Sequence, residues 1–415
     1  MGSVWICNPF DNLAEEGARP QRYSLLSSAL AERGHDVVWW TSSFSHVRHA
    51  PRVSPSGEPL PSAWRRPDGV EMRLVATPQY RSNVSFARIR NHRAYADGLA
   101  ARAIDEVSSG RLARPDVVIV SSPPLSTSRT ATLFKREWGC RVVVDVMDVW
   151  PDAFAGLLPA PGILGRLAMG TILAPLVRAS GAAFRMADAV TATSRSYLDL
   201  AKSRGATAPM EAFHHVCTEV RDATHDAAEG DETDSAPLRI AYIGGMGRLY
   251  DLETLVRAMG IAATRGVRAT LEIAGTGGKE VHLRRLATDM PSVTFHGFLD
   301  PSRLDGLLAR AEVGIVPLLS GSSVAIPYKL PDYASRSLAI LECLGGECGE
   351  LVAEYGAGLH YEARDPVSLA DAIERLAGDR RSLSAMRKAS GRMASDEFLA
   401  STVLAAMCDF VTNLA

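Results

Sequence analysis

Two cations at particular places in an α/β pattern carry the strongest chemical signal in this chain of 415 residues. The first is Arg248, at the end of Arg239-Ile-Ala-Tyr-Ile-Gly-Gly-Met-Gly-Arg, where an apolar run suited to a buried strand breaks at Gly244, Gly245, Met246 and Gly247. Glycines at a strand's C-terminal end let a phosphate approach backbone N–H groups, and the next helix adds its positive dipole end. An arginine there grips a diphosphate through two parallel hydrogen bonds. The spacing is neither GxGxxG nor GxxxxGK[ST], and taken alone it serves equally as a plain α/β turn. The second cation is Lys329, in Gly321-Ser-Ser-Val-Ala-Ile-Pro-Tyr-Lys-Leu-Pro-Asp-Tyr. Small residues open into a helix start there, which suits a second diphosphate contact. Asp332, one turn on, can accept both hydroxyls of a ribose. A proline-punctuated helix with a solvated Lys and Asp is the competing explanation.

Weaker signals surround these two. Leu271-Glu-Ile-Ala-Gly275 and Phe295-His-Gly-Phe298-Leu299 are glycine-marked strand ends, common in α/β domains. If a nucleotide binds, its base is expected against residues 297–299. Asp145, Asp148 and Asp152, with Trp150 among them, sit at another strand end, where they position an acceptor, orient a basic side chain or simply cap turns. His35 reads as a structural turn residue, whereas His46, His49 and His92 fall in loops of the first half, within reach of an acceptor or donor. No HExxH, GxSxG or paired Cys–His arrangement supports a hydrolase or a zinc enzyme.

The elements that must hold these residues alternate strand and helix, the mark of parallel sheets. Strands are expected at Val4–Asn8, Asp36–Thr41, Val70–Val75, Asp116–Ser121 and Arg141–Asp145, with Ala189–Thr193 closing the first sheet. The first helix runs from Tyr23 to Arg33 and stops at Gly34. An acidic, aperiodic stretch over 221–237 reads as a mobile linker. Beyond it come strands at Leu238–Ile243, Ala269–Ala274, Val293–Gly297, Val313–Val316, Leu338–Leu341 and Gly358–Tyr361, then helical pattern from Pro366 to the end. The expected organisation is an N-terminal Rossmann-like domain over 1–220, the linker, a second Rossmann-like domain over 238–390, and a C-terminal helix over 391–415 packing back on the first domain. Ligands of such sheets bind at the C-terminal strand ends, in the cleft that two of them would form.

Composition agrees with a globular chain of two cores: 47% hydrophobic and 22% charged residues at this length. A net charge of −2 argues against nucleic acid as a partner. Six scattered cysteines without a CxxC pair point to reduced thiols in a cytoplasmic protein rather than metal or disulfide sites. The N-terminus has no secretory pattern. Residues 154–177 carry Arg166 as their single charge but are interrupted by prolines and glycines. They are expected to form a buried or groove-lining helix pair, or else a surface that meets the inner membrane or a lipid-linked acceptor.

Taken together, these residues resemble the family 4 glycosyltransferases of the GT-B fold over essentially the whole chain. The resemblance rests on Arg22 and the serines of its helix, Glu32-Arg-Gly-His-Asp-Val, Val120-Ser-Ser-Pro-Pro-Leu, Asp145-Val-Met-Asp-Val-Trp-Pro, Gly244-Gly-Met-Gly-Arg-Leu, Lys329-Leu-Pro-Asp-Tyr and Gly346-Glu-Cys-Gly-Glu-Leu. It implies an α/β chain of two Rossmann-like domains facing a central cleft. It also implies a retaining hexosyl or heptosyl transfer, without a metal, from a nucleoside-diphosphate sugar to a hydroxyl or amine of a surface glycan, a lipid-linked acceptor or a natural product. Arg248 and Lys329 then neutralise the leaving diphosphate, and Asp332 stands where a ribose-binding glutamate is usual. Gly17 lets the first domain approach the phosphates, while His92, Asp148 and Trp150 face the acceptor. Three departures stand out: Val324 replaces a sugar-contacting glutamate, Tyr250-Asp-Leu replaces a lysine, and Phe213-His-His-Val-Cys-Thr replaces a Pro-Asn-Gly turn. Backbone amides near Val324 and Ala325 are expected to take over the lost contact. A sugar-nucleotide 2-epimerase of the same fold and a non-catalytic nucleotide-binding subunit are the alternatives.

Overall fold

The computed structural model describes residues 2–83, 85–152, 162–221, 236–319 and 322–414. The chain divides into two compact units, Met1–His214 with Val403–Ala415, and His215–Thr402. Sixteen strands are present among the described residues: β1 Ser3–Cys7, β2 Asp36–Ser42, β3 Phe44–Ser45, β4 Ala50–Pro51, β5 Ala63–Arg65, β6 Glu71–Val75, β7 Val117–Ser122, β8 Arg141–Val146, β9 Ala189–Ala192 and β10 Met210–Ala212 in the first unit. The second unit has β11 Leu238–Ile243, β12 Ala269–Ala274, β13 Val293–Gly297, β14 Val313–Val316, β15 Ala339–Glu342 and β16 Gly358–His360.

The first sheet has the order β10-β9-β8-β7-β1-β2-β6-β5, parallel except for the antiparallel edge pair of β5 and β6. The second has the order β13-β12-β11-β14-β15-β16 and is parallel throughout. Helices cover both faces of such sheets, which is why the central strands are near-continuous apolar runs. Every residue of β1, β7, β14 and β15 is buried. One-residue slips would gain nothing here, so register follows from the crossover lengths: Val4 lies opposite both Val37 and Val117.

Two expectations are corrected. β10, not β9, ends the first sheet; its three residues, Met210–Ala212, are too short and too exposed to show a periodic signal. Residues 162–186 form one helix, Gly162–Met186, with Pro175 inside it, rather than a broken pair. Proline removes one backbone hydrogen bond, and the helix continues past it to bury Ala183 and Phe184. Residues 153–161 of that stretch, and most of the expected linker, lie outside the described residues. No described helix is long and apolar enough to cross a membrane.

A buried polar hub fixes the first unit. Arg22 donates from Nε and Nη2 to both oxygens of Asp145 at 2.9 and 3.0 Å, and from Nη1 to the Phe213 carbonyl at 2.7 Å. The Tyr23 hydroxyl and the Thr191 hydroxyl also donate to Asp145, at 2.6 and 2.7 Å. Burial opposes ionisation of this carboxyl, but Arg22 and these donors outweigh it and hold Asp145 below its ordinary range. Asp145 therefore orients a basic side chain and does not face an acceptor.

Candidate functional site

Each sheet has a switch point, between β1 and β7 in the first unit and between β11 and β14 in the second. The crevice beyond the C-terminal strand ends at such a point is where open α/β sheets take ligands. In the second unit the segments flanking it are residues 244–251, after β11, and, among the described residues, 317–319 and 322–328, the latter leading to Lys329.

Lys329 begins the short helix Lys329–Ala334 and is 7% exposed. Its ammonium lies 4.2 Å from the ring centroid of Tyr250 and 5.2 Å from that of Tyr242. Among the described residues no carboxylate or carbonyl pairs with it. Burial pushes the group down from its ordinary 10.5 to about 8, with the charge of nearby Asp332 pulling the other way. Tyr333 fixes the helix in place. Its hydroxyl accepts the Ile243 N–H at 2.9 Å, and its ring fills the space above Gly314, where a Cβ would come within 2.3 Å.

Glycine lets three strand-end loops press backbone against backbone beside this lysine. Gly244 has φ +126°, and a Cβ there would sit 3.3 Å from the Lys329 Nζ. Gly275 has φ +138°, and its Cβ would lie 1.9 Å from the Gly244 carbonyl oxygen. The Gly244 N–H donates to the Ala274 carbonyl at 2.9 Å, and the Gly275 N–H to the Gly297 carbonyl at 2.7 Å. Gly245 is exposed, and its carbonyl accepts the Tyr242 hydroxyl at 2.6 Å. Met246 turns its side chain into the core, while its N–H and carbonyl pair with Thr276 and Lys279. Gly247 leads into Arg248.

Arg248 is exposed and does not share the Lys329 enclosure; it lines an open cavity with Asp251, Arg257, Lys279 and Arg364. Asp332 is half-buried one turn after Lys329, and Val324 packs partly against the core with Ala325 beside it. Phe298 stands 82% exposed beyond β13, next to half-buried Leu299.

In the first unit His92 lies in the helix Phe86–Ser108 rather than in the loop expected, and is buried among rings, 5.3 Å from Phe10 and 5.7 Å from Trp150 between centroids. Its Nε2 accepts Arg88 Nε–H at 3.3 Å. The Arg88 guanidinium lies over the rings of Trp150, at 5.0 Å, and Phe10, at 5.8 Å. Burial, reinforced by Arg88, pushes His92 down to about 3 and His46 to about 4, so both imidazoles are neutral. His46 bonds the Tyr80 hydroxyl. Asp148 turns back on its own loop, accepting the Val149 N–H at 2.8 Å. Asp152 pairs with Arg204. Gly17 is an exposed left-handed turn, φ 69°, after Glu16, which is clamped by buried Arg52.

Residues not singled out from sequence are the tyrosines around Lys329 and the Arg88–Phe10 pair. Aromatic residues flanking the glycine turn at Tyr242 and Tyr250 were the available signal.

Two family descriptions match the chain: "Glycosyl transferase 4-like domain" over residues 20–216 and "Glycosyl transferases group 1" over residues 237–379. Together they span most of it. The chain belongs to these glycosyltransferases. Solved structures similar to the transferase share its fold over nearly the full length. Sucrose-phosphate synthase of Thermosynechococcus elongatus has a TM-score of 0.71 at 14% identity, covering 100% of this chain and 99% of that one. HepE of Anabaena in complex with UDP gives 0.65 at 13%, covering 100% of both chains. WaaG, a glycosyltransferase involved in lipopolysaccharide biosynthesis, gives 0.62 at 13%, covering 99% of each. The transferase thus has the GT-B fold of two parallel-sheet domains. No curated protein matches it in sequence.

Proposed function

We propose that the transferase moves a hexosyl or heptosyl unit from a nucleoside-diphosphate sugar to an acceptor hydroxyl or amine with retention of configuration. The observation that carries this reading is the buried Lys329 ammonium, which lacks an anionic partner among the described residues beside the glycine loops of the β11/β14 switch point. A cation kept out of water without a counter-ion is costly, and a diphosphate leaving group supplies the missing charge. Charge that develops on that group as the glycosidic bond breaks is then met by a preorganised cation, the effect that is usually the largest in catalysis.

Arg248, carried by the same glycine loop, adds its guanidinium to the diphosphate, and Asp332 accepts the ribose hydroxyls. Exposed Phe298 offers a face on which a base stacks. Uridine is the base we favour, since HepE was solved with UDP and with UDP-glucose. The acceptor is held by the first unit, against the Phe10, His92 and Trp150 rings. Neutral imidazoles there accept or donate hydrogen bonds to sugar hydroxyls without attracting the donor's phosphates. No metal is required in this scheme, so EDTA should leave turnover unchanged.

The test is a panel of nucleoside diphosphates followed by their sugars. UDP should raise the unfolding midpoint of the wild type in a saturable way. The UDP-sugar that is consumed with an acceptor pool should yield a glycoside whose anomeric configuration, read by NMR, matches the donor. Inversion, or consumption of donor to an epimer without acceptor, would refute the reading.

A further inference from the structure

A cavity of about 330 Å3 opens on the second unit where the helix Leu252–Thr264 begins and the chain enters the helix Pro366–Gly378. Four cations line it: Arg248, Arg257, Lys279 and Arg364. The two carboxylates in its wall offset only part of this charge. Asp251 is buried and already accepts the Thr254 hydroxyl at 2.9 Å and the Arg364 backbone N–H at 2.7 Å. Glu253 is engaged by Lys279 at 3.5 Å and His282 at 3.6 Å. Among the described residues, no hydrogen bond or ion pair engages the guanidinium of Arg248, Arg257 or Arg364.

Arg257 and Arg364, which the donor reading does not use, are two uncompensated guanidinium groups on one concavity and focus positive potential into it. Each presents a planar fork that matches two oxygens of a phosphate. Leu319 and Pro366 supply a short apolar wall. The volume is at the low end of the roughly 300–1,000 Å3 of small-molecule sites. It suits a phosphate alone or one carrying a small polar body, and is small for a nucleotide sugar.

This cavity is not the surface around Lys329. Gly244, Gly275, Lys329 and Asp332 do not line it; of the residues assigned to the donor diphosphate, Arg248 alone does. The strip 249–251 divides the two: the Tyr250 ring faces Lys329, the Tyr250 backbone bridges to Leu318, and Asp251 faces the cavity. We propose that the cavity is a second anion site of the transferase, for inorganic phosphate or a small phosphomonoester, held by Arg257 and Arg364 and adjoining the donor-diphosphate site assigned above, to which Arg248 belongs.

The experiment is calorimetric titration of the full chain with inorganic phosphate and with glucose 6-phosphate, at constant ionic strength, with and without saturating UDP. Saturable binding that survives saturating UDP is expected. The double variant Arg257→Ala/Arg364→Ala should bind at least tenfold more weakly, as expected when charge-assisted hydrogen bonds are lost, while binding UDP like the wild type. Both side chains are exposed, so folding is expected to survive, and the UDP competition on the wild type needs no variant. Tighter binding of glucose 6-phosphate than of phosphate identifies a phosphorylated sugar as the occupant; equal binding identifies phosphate itself. Three results would overturn the proposal: no saturable binding of either probe, displacement of the probe by UDP, or unchanged affinity in the double variant. Failure of UDP to bind the wild type would instead count against the donor reading and leave this site standing.

Discussion

Replacing Lys329 by methionine should stabilise the free protein while crippling its use of nucleoside diphosphates. The ammonium is 7% exposed and has no anion partner among the described residues, and burial lowers it from 10.5 to about 8. A drop of that size corresponds to about 3 kcal/mol held against the charged form at neutral pH. The Tyr242 and Tyr250 rings return part of it, about 0.5–2 kcal/mol. Met keeps an unbranched stem and removes the charge, so the net gain should be about 1–3 kcal/mol. For a domain of this size that is roughly 3–10 °C in unfolding midpoint. The gain has a pH signature. Below pH 8 the lysine is protonated in both folded and unfolded protein, and the cost is fully present. Between pH 8 and 10.5 the folded protein sheds its proton before the unfolded chain does, so the wild type gains stability and the gap to Lys329→Met closes. Scanning calorimetry at pH 7 and pH 10 reads both numbers. UDP titration of the same samples should show binding weakened about 10–100-fold. A variant less stable than wild type at pH 7, with a gap indifferent to pH, would mean that the ammonium is compensated in the free protein and that this reasoning is wrong.

Other outcomes follow from the same geometry. Lys329→Ala and Arg248→Ala should each slow sugar transfer roughly 10²–10³-fold; full turnover in both would dismiss the leaving-group assignment. Gly275→Ala forces a Cβ to 1.9 Å from the Gly244 carbonyl, and should abolish UDP-induced stabilisation or lower the midpoint sharply. An unchanged melt would show that the loops can part. Asp145→Ala leaves Arg22 buried without its carboxylate and should cost about 3–5 kcal/mol, measured by urea unfolding. Because its carboxyl is held below the ordinary range, the wild type keeps this contribution above that range and loses it as pH falls through the lowered value. His92 and His46 resist protonation, at about 3 and about 4, whereas the unfolded chain protonates them near 6.5. The first unit should therefore lose stability as pH falls from about 6.5 toward 3. His92→Gln should remove its share of that loss in an acid-unfolding series.

The six strands of the second unit were legible because parallel, doubly covered strands are uniform apolar runs with glycine at their ends. Four of them, including Leu238–Ile243 and Ala269–Ala274, have the bounds expected from sequence. Short or edge elements such as Met210–Ala212 lacked that signal, since partial exposure removes the need for apolar residues. Pro175 misled in the opposite direction, because packing after the proline decides whether a helix continues.

The sequence by itself determined the class of fold and the two cations, because strand burial, glycine turns and helix starts are written in local residue types. It could not decide what surrounds each cation. Tertiary structure put Lys329 under two tyrosines and against Gly244, out of water, and left Arg248 exposed beside Arg257 and Arg364. It also took Asp145 out of the candidate acceptor groups by giving it to Arg22, 123 residues away in the chain. Such pairings depend on how the loops of distant strands meet at one sheet edge, and no local pattern records that.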